Sequence, residues 1–184
     1  MALVLGLLVA AAYGWGDFSG GLAARRASTT AVVWWSFVVS TACVGLMIAG
    51  WALLGGLPHP TTRAMVIGAA VGCLSPVGIG LLYKGLALGP MSVVSPVAAV
   101  VGAVVPVAWG LAHGERPPAL ALGGVAVALV AVVLISGATG PDPEGDRPHP
   151  PARRVVPIAF GAGAVFGATF VLLGSAGADA GVWP

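Results

Sequence analysis

The sequence contains very few charged side chains. Charged residues make up 8% of its 184 residues, whereas hydrophobic residues make up 58%. A water-soluble domain carries roughly 25% charged residues, so this chain cannot cover its surface with water-compatible groups. The net charge of +2 is too small to indicate nucleic-acid binding, which needs a basic surface. The composition therefore excludes a soluble domain and indicates an integral membrane protein whose surroundings are the lipid bilayer.

Residues that serve enzymes and metal sites are also scarce. Cys43 and Cys73 lie in apolar surroundings, and neither has a Cys or His at the spacing of metal ligands. The sequence shows no Ser-His-Asp set, phosphate-binding loop or HExxH motif. We therefore expect no enzyme activity, no metal and no cofactor. Both cysteines are interpreted as small buried hydrophobic residues.

Long apolar stretches, in contrast, fill most of the chain. A membrane-spanning helix needs about 20 predominantly apolar residues. Six stretches reach or approach this length, at about 3–24, 31–54, 64–82, 91–112, 119–137 and 155–176. The first is longer than the apolar region of a signal peptide, about 7–15 residues, so we expect it to be retained. The sequence predicts an all-α, multi-pass helix bundle in the cell membrane.

One connection differs from the others in composition. Residues 140–154 are polar and rich in proline, which disfavours a helix, and they separate the first five stretches from the sixth. We therefore predict a first unit at 1–139, a linker at 140–154 and a second unit at 155–184.

Asp17 is the only acidic residue that lies well inside an apolar stretch. A charged side chain in hydrocarbon is costly and usually has a function. Helical spacing places Asp17 on one face with Tyr13, Gly16, Gly20 and Ala24, a face of small residues that suits close packing. Two interpretations remain open. Asp17 is either a site for a proton or a substrate cation, or a structural hydrogen-bond acceptor near the membrane interface.

Polar and aromatic residues on the predicted helices suggest a path for a solute. The candidates are Tyr13, Trp15, Asp17, Ser75, Tyr83, Ser95 and Trp109. Pro76, Pro96 and Pro106 lie inside the third and fourth stretches, where each removes an N–H and frees a carbonyl one turn earlier. Freed carbonyls can bind polar solutes and kinks can act as hinges, although kinking for packing alone is the alternative.

Pairs of glycines at GxxxG spacing recur along the chain. They are Gly16 with Gly20, Gly68 with Gly72, Gly110 with Gly114, and Gly163 with Gly167. Because glycine lets helix backbones approach closely, these pairs predict a compact bundle.

Several of these segments together resemble a known family. The segments Trp15-Gly-Asp-Phe-Ser-Gly-Gly-Leu-Ala-Ala-Arg-Arg26 and Tyr83-Lys-Gly-Leu-Ala-Leu-Gly-Pro-Met-Ser-Val-Val-Ser-Pro96 resemble its first helix and its third-to-fourth helix junction. The family is the EamA-type branch of the drug/metabolite transporter superfamily. Pro106, the turn 113–117 and the segment 122–134 resemble its later elements in the same order. The resemblance covers about residues 5–136, and residues 155–184 resemble the start of a second copy.

This resemblance implies a fold and an activity. Members of the family typically have ten helices in two inverted five-helix repeats. The chain would then hold one repeat plus the first helix of the second, as an amino-terminal portion or truncated form of a longer carrier. It would move a small metabolite or drug-like solute by alternating access, with Asp17 as the charge-bearing or proton-coupling group. A proton or ion and a separate second half or a homodimer are the implied partners.

Two other functional hypotheses remain, namely a non-transporting membrane scaffold and an inactive fragment. The membrane orientation also has two interpretations. Basic residues are concentrated in the first, third and fifth connections, at Arg25, Arg26, Lys84, Arg147, Arg153 and Arg154, whereas the second and fourth hold Arg63 and Arg116. This bias places the amino terminus outside, whereas the family resemblance implies an inside amino terminus, the alternative that we favour.

Overall fold

The computed structural model of the chain describes residues 2–56, 59–137, 152–177 and 180. These residues form six α-helices and no strand. The helices are α1 (Ala2–Arg26), α2 (Thr29–Leu53), α3 (Thr62–Leu88), α4 (Met91–Ala112), α5 (Ala119–Gly137) and α6 (Ala152–Ser175). The predicted all-α fold is confirmed. Most of the predicted linker at 140–154 lies outside the described residues.

Within the described residues, four helices, α2, α3, α4 and α6, are long and apolar enough to cross a membrane. The other two predicted stretches are also helical, since α1 has 25 residues and α5 has 19. The chain is therefore a polytopic helical membrane protein.

Capping residues decide where α2 and α3 begin. Ser28 precedes α2 with an extended backbone, and its side chain accepts a hydrogen bond from the Ala31 N–H at 3.3 Å. Thr61 accepts one from the Ala64 N–H at 3.2 Å. Such a cap satisfies an N–H group that has no partner inside the helix. Both helices therefore begin before the apolar stretches at 31–54 and 64–82 from which the sequence predicts them.

Two other boundaries also differ from the predicted stretches. α3 continues through Tyr83 and Lys84 to Leu88, because neither side chain disfavours a helix. Gly89 and Pro90 then separate α3 from α4. α6 begins at Ala152, so the last residues of the predicted linker are helical.

The interior of the bundle lies between α3, α4 and α6. α6 packs along both α3 and α4, while α1 and α2 pack on α3, and α5 packs on α4. The main buried cluster consists of Ala24, Leu82, Tyr83, Leu86, Val94, Ala98, Val155, Ala159 and Ala162. In α2 no residue is buried. The helix expected to start a second unit is therefore central to the packing, and α2 is peripheral. The interpretation of both cysteines as buried is wrong, because Cys43 on α2 and Cys73 on α3 are exposed on the apolar outer surface of the bundle.

Gly163 and Gly167 bring α6 close to α4. A Cβ atom on Gly163 would lie 2.5 Å from the carbonyl oxygen of Ala98, and one on Gly167 would overlap the side chain of Val105. Only glycine permits this approach of the two backbones. The prediction of close packing is confirmed for this pair.

The other glycine pairs behave differently. Added Cβ atoms at Gly16 and Gly72 would meet no atom within 4 Å, so these positions do not mediate a close helix contact. Gly114 has φ +84° and lies in the turn after α4, where its conformational freedom is needed. GxxxG spacing alone therefore does not identify the packed positions of this chain.

Candidate functional site

A cavity of about 760 Å³ lies between α1, α3, α4 and α6. Small-molecule sites commonly occupy about 300–1,000 Å³, so the space suits a solute. The predicted path residues that line it are Tyr13, Asp17, Ser75, Tyr83 and Ser95. The structure thus brings together residues from three helices that are distant in sequence. Their role in binding a solute stays a prediction.

The predicted small-residue face of α1 points into the bundle. Tyr13, Gly16 and Asp17 line the cavity. One turn further along, Gly20 lies against the ring of Tyr83, and Ala24 belongs to the buried cluster. The spacing of three, four and seven residues along a helix accounts for this shared face. Asp17 therefore faces the cavity and not the lipid.

The Asp17 carboxylate is half-buried at the wall of the cavity. Within the described residues, no Lys, Arg or His side chain lines the cavity with it. The phenol of Tyr83, on α3, lines the same cavity as Asp17. A carboxylate in a largely apolar cavity without a basic partner is costly, and it is available to a positively charged or proton-donating group.

Two hydroxyl groups of the cavity wall are bonded to their own helices. The Ser75 hydroxyl donates to the carbonyl of Val71 at 2.8 Å. The Thr169 hydroxyl donates to the carbonyl of Val165 at 2.9 Å. Since each hydroxyl proton is engaged, the oxygen offers lone pairs to the cavity. Both groups therefore act toward a solute as hydrogen-bond acceptors.

The helical prolines lie close to the cavity but do not line it. α3 remains helical through Pro76, and α4 remains helical through Pro96 and Pro106. Pro106 has no N–H, so the carbonyl of Gly102, which lines the cavity, lacks its usual helical partner. The role of the three prolines as kinks stays a prediction.

Trp15 and Trp109 are not among the residues that line the cavity. The Trp15 side chain is 75% exposed and the Trp109 side chain 53% exposed. The Trp109 ring stacks on His113 at a centroid distance of 4.1 Å, near the end of α4. The position of Trp109, one turn from the end of α4, suits a tryptophan at a membrane interface. The structure does not bring either residue to the candidate site.

α6 supplies part of the wall that the sequence reasoning did not identify. The residues are Phe166, Thr169, Phe170 and Leu173. Their spacing of three, four and seven residues defines one helical face beside the Gly163 and Gly167 pair. That periodicity was a usable signal in the sequence. It could have placed these side chains on the packed side of the helix.

Two arginines bond to the carboxyl ends of neighbouring helices. Arg25, at the end of α1, donates to the carbonyls of Leu86 at 3.0 Å and Gly89 at 3.3 Å. Arg63, in the first turn of α3, donates to the carbonyl of Ser175 at 2.5 Å. Carbonyls at a helix end lack partners within the helix and carry partial negative charge. The two contacts therefore fix α1 to α3 and α3 to α6 at opposite ends of α3.

The bundle of long apolar helices defines a polytopic membrane protein. The EamA-like transporter family model matches residues 1–137. The chain belongs to the EamA-like transporter family, as the resemblance of its motifs implies. Members of this family are transporters and not enzymes, so this is a membrane transporter-type protein. No curated protein and no solved structure matches the chain.

Proposed function

We propose that the chain is a secondary transporter of the cell membrane, or the amino-terminal half of one, that carries a small metabolite or drug-like solute by alternating access. The observation that carries this proposal is the cavity of about 760 Å³ with Asp17 at its wall. A cavity between helices with one ionisable group is the expected form of a membrane solute site. Membership of the EamA-like family supports the same activity.

Asp17 is the proposed group for coupling or for holding charge. Its carboxylate faces the cavity, and no described basic side chain there neutralises it. A change in its protonation or in its bound cation would alter the charge of the cavity by one unit. Such a change is a simple physical means of linking an ion gradient to the occupancy of the site.

We infer that α6 belongs to a second repeat of inverted orientation. The family match ends at residue 137, and α6 begins at Ala152. α6 nevertheless lines the cavity together with α1, α3 and α4. A site shared between repeats is the arrangement on which alternating access depends.

We further propose that a second half or a second copy of the chain completes the cavity wall. Tyr13 and Phe170 both line the cavity, yet their side chains are 66% and 49% exposed. The wall between α1 and α6 is therefore open in the single chain. Chemical cross-linking in membranes, followed by mass determination, would distinguish a homodimer from a complex with a different polypeptide.

Solute flux in liposomes tests the proposed function. Full-chain protein would be reconstituted, together with any second polypeptide that cross-links to it, and a panel of small cationic, neutral and anionic radiolabelled solutes would be offered. We expect at least one solute to cross faster than in protein-free liposomes. Asp17→Asn should abolish that flux while the same amount of protein inserts into the liposomes.

Glu115→Gln is the matched control, because Glu115 is an exposed carboxylate in the turn after α4 and does not line the cavity. It should leave flux unchanged. Absence of flux for every solute would favour the scaffold hypothesis over transport. Flux that persists in Asp17→Asn would rule out the coupling role of Asp17 alone.

A further inference from the structure

The described lining residues of the cavity carry a negative charge and no positive charge. Asp17 contributes a carboxylate, and among the described lining residues there is no Lys, Arg or His. Much of the remaining wall is apolar, so the charge is poorly screened there. An anionic solute would be repelled by this carboxylate and would find no cationic side chain among the described lining residues. A cationic solute would pair with the carboxylate as it enters.

Two of the hydroxyl groups in the cavity wall suit the same kind of solute. The hydroxyl protons of Ser75 and Thr169 are donated to Val71 and Val165 on their own helices. These oxygens therefore present acceptor lone pairs to the cavity. Together with the carboxylate they form a set of acceptors that suits a group rich in N–H donors, such as an ammonium.

Aromatic rings form a further part of the cavity wall. Tyr13, Tyr83, Phe166 and Phe170 reach the cavity from α1, α3 and α6. An aromatic ring attracts a cation to its face, with an energy of about 0.5–2 kcal/mol depending on burial. Rings also pack well against an apolar or aromatic body. The walls therefore favour a solute that joins a cationic group to such a body.

We propose that the cavity is selective for organic monocations, with the ammonium group at Asp17 and the apolar or aromatic body against Phe166 and Phe170. This inference rests on the proposed function, since it names the class of solute that the transporter site accepts. The cavity volume of about 760 Å³ is large enough for a drug-sized molecule. The Asp17 carboxylate and the acceptor oxygens favour a solute with a positive charge. The apolar walls favour a solute whose uncharged part is apolar or aromatic.

Equilibrium binding to the full chain in lipid nanodiscs tests the selectivity without requiring transport. The probes are 2-phenylethylammonium, its neutral analogue 2-phenylethanol and the anion phenylacetate, each measured against protein-free nanodiscs. We expect the ammonium to bind at least about tenfold more tightly than the other two, as a charge-assisted hydrogen bond predicts. Asp17→Asn should remove this preference and leave the weak binding of 2-phenylethanol unchanged.

Two control variants sharpen the result. Glu115→Gln removes a carboxylate outside the cavity and should leave ammonium binding unchanged. Phe170→Leu removes an aromatic ring from the wall and should weaken the binding of all three probes without changing their order of affinity.

Binding of phenylacetate as tight as that of the ammonium, or unchanged ammonium binding in Asp17→Asn, would overturn the inference. Flux of a neutral solute without ammonium selectivity would refute the inference alone, whereas selective ammonium binding without flux of any solute would refute the transporter proposal alone.

Discussion

The ring of Tyr83 on α3 occupies the space that a side chain at position 20 of α1 would need. A Cβ atom on Gly20 would overlap the phenol end of that ring. Tyr83 is buried and also lines the cavity that Asp17 lines. The absence of a side chain at Gly20 thus places an aromatic wall next to the one carboxylate of the candidate site.

Gly20→Ala should displace the Tyr83 ring and disturb the cavity. The overlapping atoms belong to the far end of a side chain, so the ring can move, and we expect a stability loss of about 1 kcal/mol, at the low end for overpacking. We expect the binding of 2-phenylethylammonium, measured by equilibrium dialysis, to change more than the stability does. Gly16→Ala on the same helix meets no atom within 4 Å and should leave the thermal unfolding midpoint unchanged. Equal binding by wild type and Gly20→Ala would contradict this assignment.

Gly163→Ala should destabilise the bundle more than Gly20→Ala does. The new Cβ would meet the Ala98 carbonyl oxygen and the Cβ of Val101, and these atoms cannot move without separating α4 from α6. We expect a loss of about 1–3 kcal/mol, seen as a lower thermal unfolding midpoint in detergent. Gly161→Ala is the matched control on α6, because its new Cβ would be 3.5 Å from Leu81, an ordinary contact. A midpoint shared by the two variants would argue against the close approach.

Arg25→Ala should loosen the end of α1 from α3. The guanidinium donates to the carbonyls of Leu86 and Gly89, and a hydrogen bond from a charged group is worth about 1.5–3 kcal/mol. The side chain is only part-buried, so we expect about 1 kcal/mol, measured by thermal unfolding. The neighbouring Arg26 is exposed, and Arg26→Ala should have little effect. If both variants lower the midpoint equally, loss of positive charge at the interface, and not the carbonyl contacts, explains the change.

Periodicity and composition predict the helices well because apolar runs in a membrane protein must be helical to satisfy their backbone. The predicted stretches 91–112 and 119–137 coincide with α4 and α5. The predicted starts of α2 and α3 are late, because Ser28 and Thr61 begin these helices and polar caps carry no hydropathy signal. The apolar composition therefore predicts how many helices form, and the local capping residues determine where α2 and α3 begin.

The candidate site is only partly predictable from sequence. Asp17 and the polar residues on α3 and α4 stand out against an apolar background, and the structure places them around one cavity. Trp15 and Trp109 stand out equally but lie outside it, because both side chains are on exposed surfaces of their helices. The spacing of Phe166 and Phe170 could have placed both rings on the packed side of α6. Their position at this cavity depends on how α6 packs between α3 and α4, a long-range contact that the local spacing does not specify.

Cysteine labelling tests whether the cavity contains water. In a background with Cys43→Ala and Cys73→Ala, Ala99→Cys would place a thiol on the cavity wall, whereas Val104→Cys, on the same helix, would place one on an exposed apolar surface outside the cavity. Because the thiolate is the reactive form and hydrocarbon disfavours it, a water-soluble methanethiosulfonate should modify the Ala99→Cys protein at least about tenfold faster. A cationic solute that occupies the cavity should slow that reaction and leave the Val104→Cys protein unaffected. Equally slow labelling of the two positions would mean that the cavity is not hydrated in the membrane, and a charged solute could not then reach Asp17.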